Sequence, residues 1–227
     1  MAILRISDLP PVQVDRNSLR QQVATILRDL IVTGKIQPGT KITERDVAEM
    51  LNISRMPARD ALLDLEHQGL VVSKPGGRYV IKLTSAEARK LYQVRLALEK
   101  LAVEEAIKVI DEAGKTGIQQ KLADMRQAVA ENDTNAYTSS DLEFHELIWQ
   151  ITDNQYLLQM LSSMVGPIFL FMSTQTRFHE NWRETLDLHT ALAKAICDQN
   201  LDAALRNIEE HMQASLELAL MVFKNGQ

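Results

Sequence analysis

One segment, residues 36–70, constrains the fold of this chain more than any other. Apolar residues with helical spacing predict two short amphipathic helices within it, at about 44–51 and 55–67. Asn52 and Ile53 leave only a tight turn between them. Two helices joined by so short a turn predict a helix-turn-helix, a motif that places its second helix in the major groove of DNA.

The second of these helices has the end signals and the charged face that such a motif requires. Ser54 is suited to its N-cap, Pro57 falls in the first turn where a missing N–H costs little, and Gly69 ends it. Arg55 and Arg59 are four residues apart and therefore share one face. They are either ordinary solvated residues or contacts to DNA.

A β-hairpin is predicted directly after the second helix. Residues 70–73 and 78–83 have the composition of short strands, and the four residues between them form a turn. Lys74, Gly76 and Arg78 would place cations and bare backbone at the tip. A hairpin in this position is the wing of a winged helix-turn-helix.

Two domains are predicted, and the charge is divided unevenly between them. A helix at about 19–32 can pack on the other two, so residues 18–83 form the predicted winged helix-turn-helix domain, preceded by a flexible arm over 1–17. The chain has 227 residues and a formal charge of −5. Residues 1–83 carry 12 Lys and Arg against 9 Asp and Glu, whereas 84–227 carry 13 against 21. This asymmetry is expected when only one domain meets DNA phosphate.

Many positions of the first domain match the signature of a known family. They are Ile36-x-Pro38-Gly39, Glu44-Arg45-x-x-Ala48, Leu51-x-x-Ser54-Arg55-x-Pro57-x-Arg59-Asp60-Ala61-Leu62 and Gly69-Leu70-Val71. The pattern resembles that of GntR-type bacterial transcription regulators and covers the whole winged-helix domain. The resemblance implies double-stranded operator DNA as a partner, contacted by Arg45, Ser54, Arg55, Arg59 and Gly76.

Two positions depart from that family pattern. Met56 stands where threonine is usual, and Ala58 where valine is usual. Because methionine lacks the hydroxyl, we do not expect Met56 to keep the phosphate or base contact of threonine, although the docking mode is unaffected. Three arginines inside one matching motif favour DNA contact over the alternative that they are merely solvated.

The cellular compartment is predicted from features that the chain lacks. Its single cysteine, Cys197, excludes an intramolecular disulfide, and residues 1–22 lack the apolar core of a signal peptide. No run approaches the 18 apolar residues of a membrane span. We therefore expect a cytoplasmic protein without a membrane partner.

After residue 83 the pattern changes to long helices without strands. The six predicted helices are at about 85–113, 118–131, 136–151, 155–178, 181–198 and 201–223. Gly114 and Gly117 are taken to separate the first two, and the apolar stripe of the first includes Val94 and Leu101. Short connections favour antiparallel neighbours, so residues 84–227 are predicted to form an all-helical bundle, and the whole fold is mainly α.

Four side chains of this bundle could bind a metal ion. Asp141 and His145 share one helical face, and His189 and His211 lie in the apolar stripes of two other helices. Helix bundles build metal sites from inward ligands of this kind. One carboxylate and three imidazoles suit a divalent ion, zinc first, with nickel or manganese as alternatives. The competing interpretation is that each histidine is a neutral, hydrogen-bonded core residue.

The same residues carry a second resemblance. Asp141-x-x-Phe144-His145, then Leu188-His189-x-x-Leu192-x-x-Ala195-Ile196, and then Asp202-x-Ala204 with His211 resemble the metal-binding pattern of the FCD effector domain. That domain accompanies GntR winged helices of the FadR branch, and six helices suit its shorter, VanR-like version. The resemblance implies a homodimer with a bound metal. His67 and His179 lie outside the pattern and are predicted at the surface.

Arg95 is the remaining candidate. It lies among apolar positions of the first long helix, which is unusual for a permanent cation without a partner. One interpretation is a salt bridge with Glu99, one turn away. The other, which the FCD resemblance implies through Val94-Arg95-x-x-Leu98-Glu99, is that Arg95 binds the carboxylate of an effector with two hydrogen bonds.

Two classes of function fit these features. The first is a DNA-binding transcription regulator, with repression as the expected action, which reads a pseudo-palindromic operator as a homodimer and senses a small organic acid. The second is an enzyme whose metal activates water. No Glu or His stands at the spacing of a general base, and an enzyme would leave the winged helix unexplained. We predict a regulator and not an enzyme, with a purely structural metal as a further alternative.

Overall fold

The computed structural model describes residues 19–32, 34–173 and 182–225. The predicted arm over 1–17 lies outside them. Within them the chain is mainly α, with a winged helix-turn-helix followed by a six-helix bundle, as predicted. The elements are α1 (Leu19–Val32), β1 (Lys41–Ile42), α2 (Glu44–Leu51), α3 (Arg55–His67), β2 (Val71–Lys74), β3 (Gly77–Val80), α4 (Ser85–Val109), α5 (Glu112–Glu131), α6 (Thr134–Ile151), α7 (Gln155–Ser173), α8 (Trp182–Cys197) and α9 (Leu201–Asn225).

The helix-turn-helix is held by an apolar core and by its caps. Leu27 of α1, Val47 of α2 and Leu62 of α3 are buried together. Thr43 and the third residue of α2 form a capping box, and the turn before α3 is made by Asn52 in the left-handed region, with φ of 52°. Ser54 is the N-cap of α3, as predicted, but its side chain forms no cap hydrogen bond.

The wing is a three-stranded antiparallel sheet and not a simple hairpin. Its order is β1-β3-β2, with Val71 opposite Val80 in one pair and Lys41 opposite Tyr79 in the other. The sequence does not predict β1, because two residues are too few to show an alternating pattern. This strand brings Lys41 beside the wing.

Arg78 has a structural role that corrects its predicted place at the tip of the wing. Its guanidinium lies 3.1 Å from a carboxylate oxygen of Glu44 in α2 and 3.3 Å from one of Glu66 in α3. These two ion pairs hold the wing against both helices of the motif. Arg78 is therefore ion-paired with two neighbouring carboxylates, and the groups that remain at the tip of the wing are Lys74 and Gly76.

The boundary between the first two bundle helices differs from the prediction. The chain leaves the helical conformation at Ile110, and Asp111 caps α5 by accepting a hydrogen bond from the amide of Gly114. Gly114 and Gly117 thus lie inside α5. A Cβ at Gly117 would come within 3.0 Å of Leu147, so the glycine lets α5 and α6 approach closely. The predicted end of α7 at 178, and His179, lie outside the described residues.

The buried face of α4 is rotated from the predicted one. Tyr92, Arg95 and Glu99 point inward, whereas Val94 is 51% and Leu101 39% exposed. Tyr92 and Val103 are buried on this face of α4, together with the ion pair of Arg95 and Glu99. The outer face of α4 is therefore apolar and exposed in the single chain.

The two domains touch through a pair of glycines. At Gly69, after the end of α3, φ is +71°, and a Cβ would lie 2.7 Å from the carbonyl oxygen of Ser163 and 3.0 Å from Pro167. A Cβ on Gly166 would collide with the carbonyl oxygen of Gln68. The end of α3 therefore packs directly against the backbone of α7, so a displacement of α7 would be transmitted to α3.

Over the described ranges, none of the helices combines the length and the apolar character needed to cross a membrane.

Candidate metal centre and nucleic-acid interface

A basic groove of about 520 Å³ lies where the wing meets the ends of α2 and α3. Residues of β1 and the wing tip form one side of it, and the first turns of α2 and α3 form the other. Its cationic and backbone contributors are Lys41, Arg45, Arg55, Lys74, Gly76, Gly77 and Arg78. A concave surface with this charge complements the DNA backbone.

Three of the predicted DNA-contact residues, Arg45, Arg55 and Gly76, line this groove, whereas Ser54 and Arg59 lie outside its lining. Arg55 and Arg59 are exposed on the first two turns of α3. Arg45 is ion-paired with Glu49 at 2.7 Å, but both side chains are more than 60% exposed, with values of 70% and 64%. An exposed pair of this kind contributes little to stability, so Arg45 can exchange its partner for phosphate. At Gly76 φ is +98°, a backbone conformation that disfavours other residues and leaves the wing tip open to close approach.

Lys41 belongs to the groove, although the sequence does not single it out. It pairs with Tyr79 in the sheet and lies against Gly77, where a Cβ would come within 2.9 Å of its Cε. An isolated lysine in a two-residue strand carries no motif signal, and only the pairing of β1 with β3 brings it to the wing.

The second site lies inside the bundle, where Asp141, His145, His189 and His211 converge from α6, α8 and α9. One ligand atom from each lies within 4.8 Å of the others. The three histidines are almost fully buried, at 0–1% exposure, and Asp141 is partly buried. Donors that share one ion at bond lengths of about 2.1 Å lie roughly 3–4 Å apart, so these four atoms would close on a single ion by small movements of their side chains.

His189 shows why this cluster needs a cation. Its Nδ1 lies 2.7 Å from the carbonyl oxygen of Thr185, which can only accept, so Nδ1 carries the proton. Nε2 of the same ring then faces Asp141, whose Oδ1 is 2.7 Å away. Nε2 forms no hydrogen bond with any described residue. Two electron-pair donors at this distance are stable only with a proton or a metal ion between them.

His145 and His211 likewise bring two nitrogen atoms that could bind a metal ion close together. Their Nε2 atoms are 3.0 Å apart, and the Nδ1 atoms of both rings are buried without a hydrogen bond to any described residue. Burial, aided by the neighbouring imidazoles, holds the pKa of His211 well below its ordinary value. A neutral imidazole is the form that binds metal.

Asp141 remains ionised in this environment. Burial raises its pKa, yet His189 and His145 outweigh that effect and lower it overall. Arg95 adds to the lowering, because its positive charge lies near the same carboxylate. The cluster therefore supplies one anionic oxygen beside three imidazole rings.

Glu99 connects the cluster to Arg95, a connection that the sequence predicts only in part. Its carboxylate lies 3.1 Å from Nε of Arg95, accepts a hydrogen bond of 2.9 Å from the indole of Trp149 and lies 3.6 Å from Nδ1 of His145. Both charged side chains are buried. The predicted salt bridge is confirmed. The links to Trp149 and His145 depend on how α4 packs against α6, and no spacing within one helix could reveal them.

Two family models match the chain. Residues 19–81 match the bacterial regulatory proteins of the gntR family, and residues 90–214 match the FCD domain. The chain belongs to the GntR family. This family consists of transcription regulators, which confirms the predicted class of function and removes the enzyme alternative.

Individual GntR-family relatives align over most of the chain. The gluconate operon transcriptional repressor of Bacillus licheniformis is 28% identical over 207 residues, covering 89% of this chain and 85% of that protein. The HTH-type transcriptional repressor RspR of Escherichia coli (strain K12) is 29% identical over 200 residues, covering 86% of each. The solved structure of E. coli McbR/YncC, 21% identical, has a TM-score of 0.75 over 90% of this chain and 98% of that one, which shows a shared fold.

Proposed function

We propose that this GntR-family regulator changes its operator affinity when a small carboxylate binds at a metal centre in its FCD domain. The observation that carries the proposal is the convergence of four inward donors in a bundle that directly touches the end of the recognition helix. A ligand can alter DNA binding only by favouring one placement of the two winged helices over another. The contact of Gly69 and Gly166 gives that preference a physical path from α7 to α3.

We propose one divalent ion per chain, with zinc as the first candidate and nickel or manganese as alternatives. Asp141 Oδ1 and the Nε2 atoms of His145, His189 and His211 would hold it. The approach of Nε2 of His189 to Asp141, at 2.7 Å, and that of the Nε2 atoms of His145 and His211 to each other, at 3.0 Å, support this assignment. Thr185 would fix the tautomer of one ligand, as second-shell groups do in metal sites.

The effector that best fits the site is a small organic acid. An ion that accepts ligands beyond its four protein donors could bind one carboxylate oxygen. Arg95, whose charge reaches Asp141, could bind the other while keeping its bond with Glu99, since a guanidinium offers five donors. The relative named for the gluconate operon supports an acid of this class. A purely structural metal remains the alternative.

A homodimer is the proposed operator-binding form. A helix-turn-helix gains affinity and specificity by pairing two half-sites of a pseudo-palindrome. The outer face of α4 supplies an apolar surface for the second copy, because Val94, Ala97 and Leu101 are all exposed on one side of that helix.

Alanine at any of three arginines should weaken operator binding. For Arg45→Ala, Arg55→Ala or Arg59→Ala we expect a loss of roughly 1–3 kcal/mol where the contact is bidentate to guanine. Fluorescence anisotropy at one fixed salt concentration measures it. Arg206→Ala, an exposed arginine of α9, is the matched control and should bind as the wild type does. Wild-type affinity in all three variants would remove the proposed recognition face.

Arg95→Lys should abolish the response to the effector while leaving the rest of the protein intact. Lysine keeps the positive charge beside Glu99, but it cannot form two parallel hydrogen bonds with a ligand carboxylate. We expect unchanged metal content and unchanged DNA affinity in the absence of effector. The test compound is a carboxylic acid that raises the melting temperature of the wild type. The measured quantity is the change in operator affinity that this acid causes in each protein. A normal shift in Arg95→Lys would restrict Arg95 to its salt bridge.

A further inference from the structure

Met56 is an exposed apolar side chain in the middle of the proposed DNA-contact face. It is the second residue of α3 and is 63% exposed. Arg55 precedes it, and Arg59 follows three residues later, on the same side of the helix. Methionine therefore lies beside two cations at the end of the helix whose first residues contact base edges in this motif.

The chemistry of this side chain restricts what it can recognise. A thioether is a weak hydrogen-bond acceptor and has no donor, so Met56 cannot read the polar pattern of a base as arginine or asparagine does. Its long, unbranched chain reaches far and adapts its shape. In the major groove the apolar group on a base edge is the C5-methyl of thymine.

We infer that Met56 contacts a thymine methyl group in each operator half-site and makes that position selective for thymine. The inference rests on the proposed recognition face of α3. Leaving a large apolar side chain in water is unfavourable, and packing against a methyl group removes apolar surface of both groups from water. The arginines on either side supply affinity, whereas the methionine supplies a preference at one base pair.

Removing the methyl group alone tests this inference. An operator is first selected from random double-stranded DNA with wild-type protein, and each thymine is then replaced singly by deoxyuridine, which pairs identically but lacks the methyl. We expect one thymine per half-site whose replacement weakens wild-type binding by roughly three- to tenfold. In Met56→Ser the same replacement should have no effect, and in Met56→Leu, which stays apolar, the sensitivity should persist.

Met50→Ser provides the matched control. Met50 is 51% exposed in α2, outside the recognition helix, and its replacement should leave the deoxyuridine sensitivity unchanged. An operator with no deoxyuridine-sensitive thymine would overturn the inference, as would equal sensitivity in Met56→Ser. If the wild type selects no DNA sequence at all, the proposed recognition face of α3 is itself wrong. If the wild type selects an operator and binding requires the arginines, but no deoxyuridine replacement has an effect, only the role assigned to Met56 is wrong.

Discussion

A His211→Ala variant is expected to purify with almost none of the single divalent ion that we assign to each wild-type chain. His211 is fully enclosed and comes from α9, whereas the other ligands come from α6 and α8. Its loss removes one of four donors and opens a space where the ring stood. Because the ion binds only the folded form, its loss should also lower the melting temperature. Elemental analysis and thermal unfolding measure both effects.

His67→Ala is the matched control for the metal centre. His67 is exposed at the end of α3 and is not one of the proposed ligands, so its removal should change neither the metal content nor the melting temperature. A chelator should lower the melting temperature of the wild type and of His67→Ala, but not that of His211→Ala. A full complement of metal in the double variant His189→Ala, His211→Ala would show that the ligands have been wrongly assigned.

Glu99→Ala should destabilise the protein by about 3–5 kcal/mol, the usual cost of leaving one partner of a buried ion pair alone. Arg95 would be left charged and buried, and the indole N–H of Trp149 would lose its acceptor. Urea unfolding of the metal-free protein measures the loss separately from metal binding. Glu209→Ala, which breaks an exposed pair with Lys100, is the control and should cost at most about 1 kcal/mol.

The contribution of Glu99 should also depend on pH. Burial opposes its ionisation, but His145 and Arg95 outweigh burial and lower its pKa from 4.5 to about 2. A lowered folded-state pKa gives stability that is complete above the unfolded value of 4.5 and is lost as the pH falls toward 2. Glu99→Ala should therefore remove part of the acid sensitivity of the wild type. If Glu99→Ala lowers the free energy of unfolding by less than about 1 kcal/mol at neutral pH, the charge of Arg95 has found another partner in the variant.

The DNA-binding domain could be predicted from the sequence because its signals are local. Helical periodicity, the Ser54 N-cap position and Gly69 define α3 within a few residues of its observed bounds. The two-residue strand β1 and the groove residue Lys41 could not be predicted, since both depend on pairing with β3, far along the chain. Local patterns define helices, whereas strand pairing requires the tertiary fold.

The candidate metal ligands could likewise be predicted, because polar residues on apolar helical faces are conspicuous. The buried face of α4 could not be predicted. Val94 and Leu101 are apolar, and the pattern places them in the core, yet the face of α4 that is buried is the one that carries the ion pair of Arg95 and Glu99. The break before α5 was misplaced for a related reason. Glycines suggest an interruption, but Gly114 and Gly117 serve close packing within a helix that Asp111 caps.

The most direct test of ligand control is the operator affinity of zinc-loaded wild-type protein with and without a carboxylic acid. The acid is chosen as the one that most raises the melting temperature in a screen of such compounds. We predict that it changes operator affinity by roughly 5–150-fold and that removing the metal abolishes the change. Unchanged affinity at saturating concentrations of every stabilising acid would contradict the account and leave the metal with a purely structural role.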